Sequence, residues 1–401
     1  MVQLKLNSNP LQLNWQNQES YIFLNSRLSE AVSVQLVRAC EKFFLEKKLN
    51  KGYLILASSG TTQADAITLK FIKKENFLAA AQSFNSFFDI VHEVVFLQAL
   101  PIFHVGGLAA YARSYLAGCK LIETESTKWH PEKFRNDVES VGATRVSLVP
   151  TQVFDLVKMN LKASKSLDTV FVGGAHLSSE LRDQALDLGW PLLASYGMTE
   201  TSSMLASQKY SSRRQKSAEA QFVPLPGVEF RTDSQNKVFI RAPGVLSYAL
   251  SVDLRKGSDF TGELKTFDES TELETQDYGY WDGEYFKYLG REQDLIKISG
   301  ELVSLARLRS VFNEGLARTN SSLMERLCLL SLPHSRNENE IVLASVGVTS
   351  DIIDLLIKDY NKVVMPFEKI KRYIMVKSIP RTDLGKVLVN QLKNEILEGQ
   401  I

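Results

Sequence analysis

LLASYGMTETSSM, residues Leu192–Met204, sets an apolar run directly against a polar turn. Leu192, Leu193 and Ala194 have the character of a buried strand. Ser195, Tyr196, Gly197, Met198, Thr199 and Glu200 then put an aromatic ring, hydroxyls and one carboxylate at its end. That combination suits a nucleotide with a metal ion, because a hard divalent cation takes oxygen ligands, commonly one or two carboxylates plus substrate phosphates. Glu200 is the natural protein ligand for Mg2+. The plainer alternative is a solvated helix start, since Thr and Glu are good cap residues. Outward from this stretch the same order repeats. Apolar runs at Tyr53–Ala57, Glu93–Gln98, Arg145–Val149, Thr169–Val172 and Pro191–Ala194 alternate with helix-period stretches such as Asn76–Ile90 and Thr151–Leu161. Such alternation predicts an α/β domain with a largely parallel sheet whose ligands gather at the carboxyl ends of its strands. From about Val228 the character changes to short strand-like pieces, as in VEFRTDSQNKVFIRAP, which predicts a small β-rich subdomain. The hairpin GYWDGEYFKYLG then leads into GREQDLIKISG, where a hinge is expected. This divides the chain into a large domain at 1–292 and a small α+β domain at 293–401.

Composition sets wider limits. The 401 residues are 44% hydrophobic and 23% charged, and 47 Lys+Arg stand against 46 Asp+Glu. That balance fits a globular chain of two or three domains, and a formal charge of +1 gives no reason to expect nucleic acid or an acidic membrane as partner. Cys40, Cys119 and Cys328 are widely spaced and match no metal or redox pattern, so reduced, buried thiols and a cytoplasmic location are expected. The amino terminus lacks the apolar core of a signal peptide. No apolar run approaches the roughly 20 residues of a membrane span, so no membrane insertion is expected. No GxGxxG follows an early strand, which argues against a dinucleotide dehydrogenase.

Four further segments carry chemistry. LASSGTTQ, Leu56–Gln63, follows a strand with a Ser/Thr/Gly loop. Backbone amides there, with the hydroxyls of Ser58, Ser59, Thr61 and Thr62 around Gly60, can cradle phosphate oxygens. ALPIFHVGGL, Ala99–Leu108, sets His104 and the pair Gly106 and Gly107 between a strand and a helix. Imidazole offers a flat face and a polar edge to a substrate, although a lone His in an apolar stretch is more often packed core. FVGGAHLSSEL, Phe171–Leu181, repeats strand, Gly pair and helix start. Gly173 and Gly174 allow close approach to a planar ring or serve helix–strand packing alone, and Ser178 or Ser179 can cap the helix. IPRTDLGKV, Ile379–Val387, presents Lys386 on a Gly-containing loop, where a surface charge is the ordinary reading.

Taken in order, these segments resemble the acyl-adenylate-forming ligases, a superfamily of acyl-CoA synthetases, luciferases and nonribosomal-peptide adenylation domains. The resemblance runs from about residue 50 to the C-terminus. LASSGTTQ is similar to the first half of the family's phosphate loop SSGTTGxPKG, YGMTE to YGxTE, and PRTDLGK to PRxxxGK. ETQDYGYWDGEYFKYLGREQDLIKISGELV is similar to TGDxGYxDxDGYxxxxGRxDDxIKxxGxxI. The resemblance implies ATP, Mg2+ and CoA as cofactor and co-substrates, a small-molecule carboxylic acid as substrate, and allows for a homodimer. It gives Ser58, Ser59, Gly60, Thr61, Thr62, Gly174, Ala175, Ser195, Tyr196, Gly197, Met198, Asp277 and Arg291 to the nucleotide. Of these, Tyr196 would stack on adenine and Asp277, backed by Arg291, would hold the ribose hydroxyls. His104, Gly106, Gly107 and Gly173 would border the acyl group. Thr199, Glu200 and Lys386 would act in adenylation, and Gln293, Asp294 and Gly300 would form the hinge and the CoA tunnel.

The chain departs from the family at several places. Ala66 stands where the family has its phosphate-loop lysine, with Lys70 as a shifted candidate. Gln293 stands at the usual hinge Asp, and Gln276 replaces a Gly. The N-terminal region reads as shortened, with about 50 residues before the phosphate loop. Arg113, Arg213 and Arg214 are candidates for a cationic substrate pocket. A non-catalytic relative that binds nucleotide or acyl-adenylate is the alternative from another class, motivated by the altered loop.

Overall fold

Thr169–Val172 needs no sequence partner to read as a strand: four residues, two of them β-branched valines, all buried. It lies inside the sheet that organises the first part of the molecule. The computed structural model describes residues 4–6, 13–49, 52–59, 66–124, 129–216, 221–256, 264–267, 272–319, 323–381 and 387–399. They fall into two compact units, residues 1–275 with 280–287, and residues 276–279 with 288–401.

In the first unit a seven-stranded sheet has Val95–Gln98, Lys120–Glu123, Arg145–Leu148, Thr169–Val172 and Leu192–Met198 all parallel, with Ser203–Ser207 and Val223–Pro224 added antiparallel at one edge. Helices Val105–Ala117, Pro131–Val141, Pro150–Lys158 and Ser179–Asp187 make the crossovers. Val95–Gln98 lies between Lys120–Glu123 and Arg145–Leu148, so the strand order reverses there, the place where open α/β sheets bind ligands. The expected α/β class is therefore the observed one. The Asn76–Ile90 and Thr151–Leu161 patterns are helices at Lys74–Phe87 and Pro150–Lys158.

A second, six-stranded sheet was only partly legible. Its order is Leu4–Leu6, Ser20–Phe23, Tyr53–Ser59, Ala66–Lys73, Tyr248–Asp253 and Leu264–Thr266. Ser20–Phe23 and the helix Glu30–Lys47 come from the roughly 50 residues before the phosphate loop, where the sequence reading names no element. Ser29 caps that helix, its hydroxyl accepting from the Val32 amide. Leu36, Ala39, Cys40, Phe43 and Phe44 form its buried face against Phe71, Leu69 and Leu250. A four-stranded antiparallel sheet, Glu229–Thr232, Lys237–Arg241, Leu273–Trp281 and Phe286–Arg291, is the expected β-rich part. Its last two strands continue into residues of the second unit.

The second unit pairs Leu295–Ile298 with Glu301–Ser304, and Leu327–His334 with Glu338–Ser345 and Ile370–Met375, with helices Leu305–Thr319, Ser350–Val363 and Val389–Leu397. Its core is its own: Leu308, Phe312, Leu316, Leu329, Leu343 and Ile353 on one side of the three-stranded sheet, Leu330, Val342, Ala344 and Leu392 on the other. No helix among the described residues is long and apolar enough to cross a membrane.

Candidate active site

The Leu192–Met204 stretch differs from its expectation in one respect. The strand does not stop at Ala194; it runs to Met198, and Ser203–Ser207 folds back on it with Ser203 opposite Met198 and Met204 opposite Gly197. The YGM residues are thus strand, and the turn is the short 3-10 segment Thr199–Thr201. Gly197 permits this: a Cβ there would run into the Ser203 carbonyl. The turn is held by backbone and hydroxyl bonds. Thr201 Oγ1 donates to the Met198 carbonyl at 3.2 Å, Ser202 Oγ to the Gly244 carbonyl at 2.6 Å, and the Leu246 amide to the Glu200 carbonyl at 2.8 Å. Thr199 and the Glu200 carboxylate are left partly exposed at the strand end.

Around this turn the parallel sheet gathers the other motifs by its carboxyl edge. Val172 is in register with Ala194 and with Leu148, so Gly173 and Gly174 follow a strand beside the one that carries Ser195. Ser195 Oγ donates to the Val172 carbonyl at 3.1 Å, and a Cβ on Gly173 would come within 2.7 Å of that hydroxyl oxygen. Gly174, with φ +81°, and Ala175 are exposed, forming an open wall. Ser178 is the helix cap, accepting from the Leu181 amide at 3.2 Å. His104 precedes helix Val105–Ala117 after the next-but-one strand, its ring tilted by 50° against that of Phe103 with centroids 4.7 Å apart. His104 is exposed, yet surrounding protein desolvates its imidazole and lowers its pKa below the ordinary value. Gly106 lies beside Leu100, and Gly107 is buried against the Pro101 carbonyl, which explains that glycine by packing.

Tyr196 is placed differently from a free stacking plate. It is 8% exposed and sits among Phe222, Phe230 and Phe286, with Phe286 at 4.8 Å. The three arginines named as pocket cations are committed to structure. Arg113 is buried over the Phe84 ring at 3.5 Å, with Nη2 donating to Ser203 Oγ at 3.3 Å. Arg213 bridges Asp168 at 3.1 Å, and Arg214 donates to the Leu167 carbonyl at 3.3 Å.

Ser58 and Ser59 end the strand Tyr53–Ser59, opposite Thr68 and Ile67. Gly60, Thr61, Thr62 and Lys386 lie outside the described residues. Ala66 opens the returning strand, opposite Asp253. The residue that the motifs left as a mere candidate is on that strand: Lys70, 9% exposed, has its ammonium 2.7 Å from Glu200 Oε1. The signal in the sequence was Lys70 in the middle of the mostly apolar strand AITLKFIK. Glu200 is therefore already a receptor for a cation, which is the property a Mg2+ ligand needs.

In the second unit Asp277 is 4% exposed and faces Arg291 Nε at 3.4 Å. Burial and the Asp277 charge push the Tyr288 hydroxyl well above the usual range. Asp294 pairs with Arg309 at 3.3 Å next to Gln293. Ser299, φ 54°, and Gly300, φ +82°, make the hairpin turn between Leu295–Ile298 and Glu301–Ser304, and the Gly300 amide donates to Glu338 Oε2 at 3.0 Å. Arg381 and Val387, the described residues on either side of 382–386, bridge antiparallel.

The parallel sheet carries glycines and a carboxylate turn at its strand ends, and an α+β unit follows it in the chain. Residues 55–246 match the model of the family described as AMP-binding enzyme. It is 26% identical over 358 residues to a 2-succinylbenzoate–CoA ligase of Staphylococcus epidermidis, covering 86% of this chain and 70% of that one. To the ligase of the same name from Bacillus subtilis it is 25% identical over 355 residues, covering 85% and 68%. Among solved structures, o-succinylbenzoate CoA synthetase from Bacillus subtilis in complex with its acyl-adenylate intermediate superposes with a TM-score of 0.73 at 19% identity, covering 94% of this chain and 83% of that one. ATP-bound MatB from Rhodopseudomonas palustris gives 0.67 at 20% identity, covering 94% and 83%.

Proposed function

We propose that the chain is an AMP-forming acid:CoA ligase that converts 2-succinylbenzoate to its CoA thioester through an acyl-adenylate. The observation that carries the reading is the Thr199–Glu200 turn beside Gly173–Gly174, at the carboxyl edge of a sheet inside an AMP-binding domain. The names of the relatives and the pairing of LPIFHVGGL with SYGMTETSSM support the choice of acid. A substrate carboxylate oxygen attacks the α-phosphorus of ATP, the α–β phosphoanhydride bond breaks and pyrophosphate leaves. The CoA thiolate then attacks the acyl carbon, and AMP departs with the electron pair. Thr199 donates a hydroxyl toward the α-phosphate as charge develops there, and Lys386 bridges the carboxylate and that phosphate. Mg2+, held by Glu200, would supply charge neutralisation on the polyphosphate. His104 packs its imidazole beside the acyl group. Asp277 and Arg291 take the ribose, and residues 293–401 act as a hinged unit around Gln293 and Asp294, with Gly300 toward the pantetheine. A cytoplasmic location and a homodimer belong to the same reading.

The test is pyrophosphate release with Mg-ATP and CoA across o-succinylbenzoate, benzoates and fatty acids, with thioester detection by mass. Turnover with o-succinylbenzoate alone is expected. Turnover with another aryl or medium-chain acid keeps the chemistry and discards this substrate. A second reading is favoured by one observation, Ala66 in place of the phosphate-loop lysine: a relative that binds adenine nucleotide without turning it over. Nucleotide binding with no release for any acid would select it.

A further inference from the structure

We propose that Lys70 is the polyphosphate-binding cation of this chain, resting on Glu200 and moving to a phosphate oxygen when Mg2+ takes the carboxylate. The inference rests on the ligase reading only for the identity of its ligand. Ala66, Thr68, Lys70 and Ile72 share one face of the strand Ala66–Lys73, since side chains alternate along a strand. The position four residues before Lys70, where the family's phosphate loop carries its lysine, has a methyl group. Lys70 stands about 13 Å further along the same face, at roughly 3.3 Å per residue. Too far to replace that lysine in place, it reaches the site from the side, and its ammonium meets Glu200 Oε1 at 2.7 Å. A lysine in the middle of an apolar strand, paired by Leu56 on one side and Ala249 on the other, is an expensive residue for mere sheet stability. An apolar side chain of the same length would pack there without desolvating a charge.

Its placement has a consequence for the metal. The Lys70 side chain is 11% exposed and that of Glu200 33%, so the carboxylate is the more accessible member of the pair. A divalent ion binding Glu200 meets an adjacent positive charge and must weaken the ion pair. A polyphosphate arriving with the ion offers the ammonium a new acceptor, so the two charges exchange partners together. Mg2+ and nucleotide therefore bind cooperatively, and Lys70 makes Mg2+ alone bind poorly.

The experiment compares wild type with Lys70→Met and Lys70→Arg by calorimetric titration of the full chain, using Mg2+ alone, ATP with saturating Mg2+, and ATP with chelator. Lys70→Met is expected to weaken Mg-ATP about tenfold to a hundredfold, the worth of one charge-assisted hydrogen bond, while Mg2+ alone binds several-fold more tightly. Lys70→Arg recovers part of the ATP affinity. Opposite shifts for ion and nucleotide are the signature, because a purely structural lysine would move both the same way or neither. Thermal unfolding of each variant by circular dichroism identifies the folded fraction, and Lys70→Arg carries the comparison if Lys70→Met is poorly folded. Wild-type binding with unchanged Mg-ATP affinity in the variants overturns the role of Lys70 and leaves the ligase reading standing. Failure of wild type to bind ATP at all overturns both.

Discussion

At the scale of single residues the proposed chemistry concentrates on Glu200 and Lys386. Glu200 is the one carboxylate on the strand-end turn, so replacing it should act on the metal before anything else. Glu200→Gln keeps the shape and the backbone bond from Leu246, and it should raise the Mg2+ concentration for half-maximal pyrophosphate release about tenfold or more, with the fold intact. Unchanged Mg2+ dependence would remove Glu200 from the metal. Lys386 acts in one half-reaction only under the proposed chemistry. Lys386→Ala should lower adenylation about a hundredfold or more while thioesterification of supplied acyl-adenylate stays within a few-fold. Equal loss of both steps would argue against the assignment. Part of this site was legible because strand-end motifs have fixed spacing: Gly173 and the Thr199–Glu200 turn follow the ends of adjacent strands, while Ser195 lies inside its strand. The pairing of Lys70 with Glu200 was not, because the two lie 130 residues apart and only the fold brings the lysine to the turn.

At the scale of elements, some residues that look functional in sequence are held by packing. Gly197 lies where the Ser203 carbonyl approaches the Leu192–Met198 strand, so Gly197→Ala should destabilise the hairpin by about 1–3 kcal/mol or more through overpacking, read as a lower denaturation midpoint. A loss of activity without loss of stability would give Gly197 a ligand role instead. The three-residue reach of a motif cannot reveal such a contact, which depends on a returning strand that the sequence did not announce. The segment Tyr210–Arg214 makes the same point. Its Arg213 looked like a pocket cation, yet Arg213, Arg145 and the Tyr210 hydroxyl all converge on Asp168 at the start of the Thr169–Val172 strand. Burial alone would raise the Asp168 pKa, but these donors outweigh it and the net shift is downward. A carboxyl with a depressed folded pKa stabilises fully above its unfolded value near 3.9 and loses that contribution as pH falls through the folded value. Wild type should therefore lose stability more steeply below about pH 4 than Asp168→Asn, which starts less stable and lacks that titration; parallel acid profiles would deny the cluster its role.

At the scale of the whole molecule, two units with separate cores make unfolding a question of two equilibria. Cys40 lies in the core under the Glu30–Lys47 helix, and Cys328 in the core of the Leu327–His334 strand, one in each unit. Burial pushes both thiols up, and a protonated, inaccessible thiol reacts slowly with disulfide reagents. Cys119 is half-buried and should label first, under native conditions. Each remaining thiol then reports its own unit as denaturant rises, since a domain with its own core can unfold by itself. The expected result is two labelling midpoints, identified by mass spectrometry of the peptides carrying Cys40 and Cys328. Mg-ATP should move the Cys40 midpoint upward, by the linkage of binding to the folded form, because Glu200 and the Gly173 segment belong to that unit. Coincident midpoints that shift together with nucleotide would mean that the two cores unfold as one cooperative body. In that case a rotation of residues 293–401 between half-reactions would have to break contacts as strong as those that hold either unit.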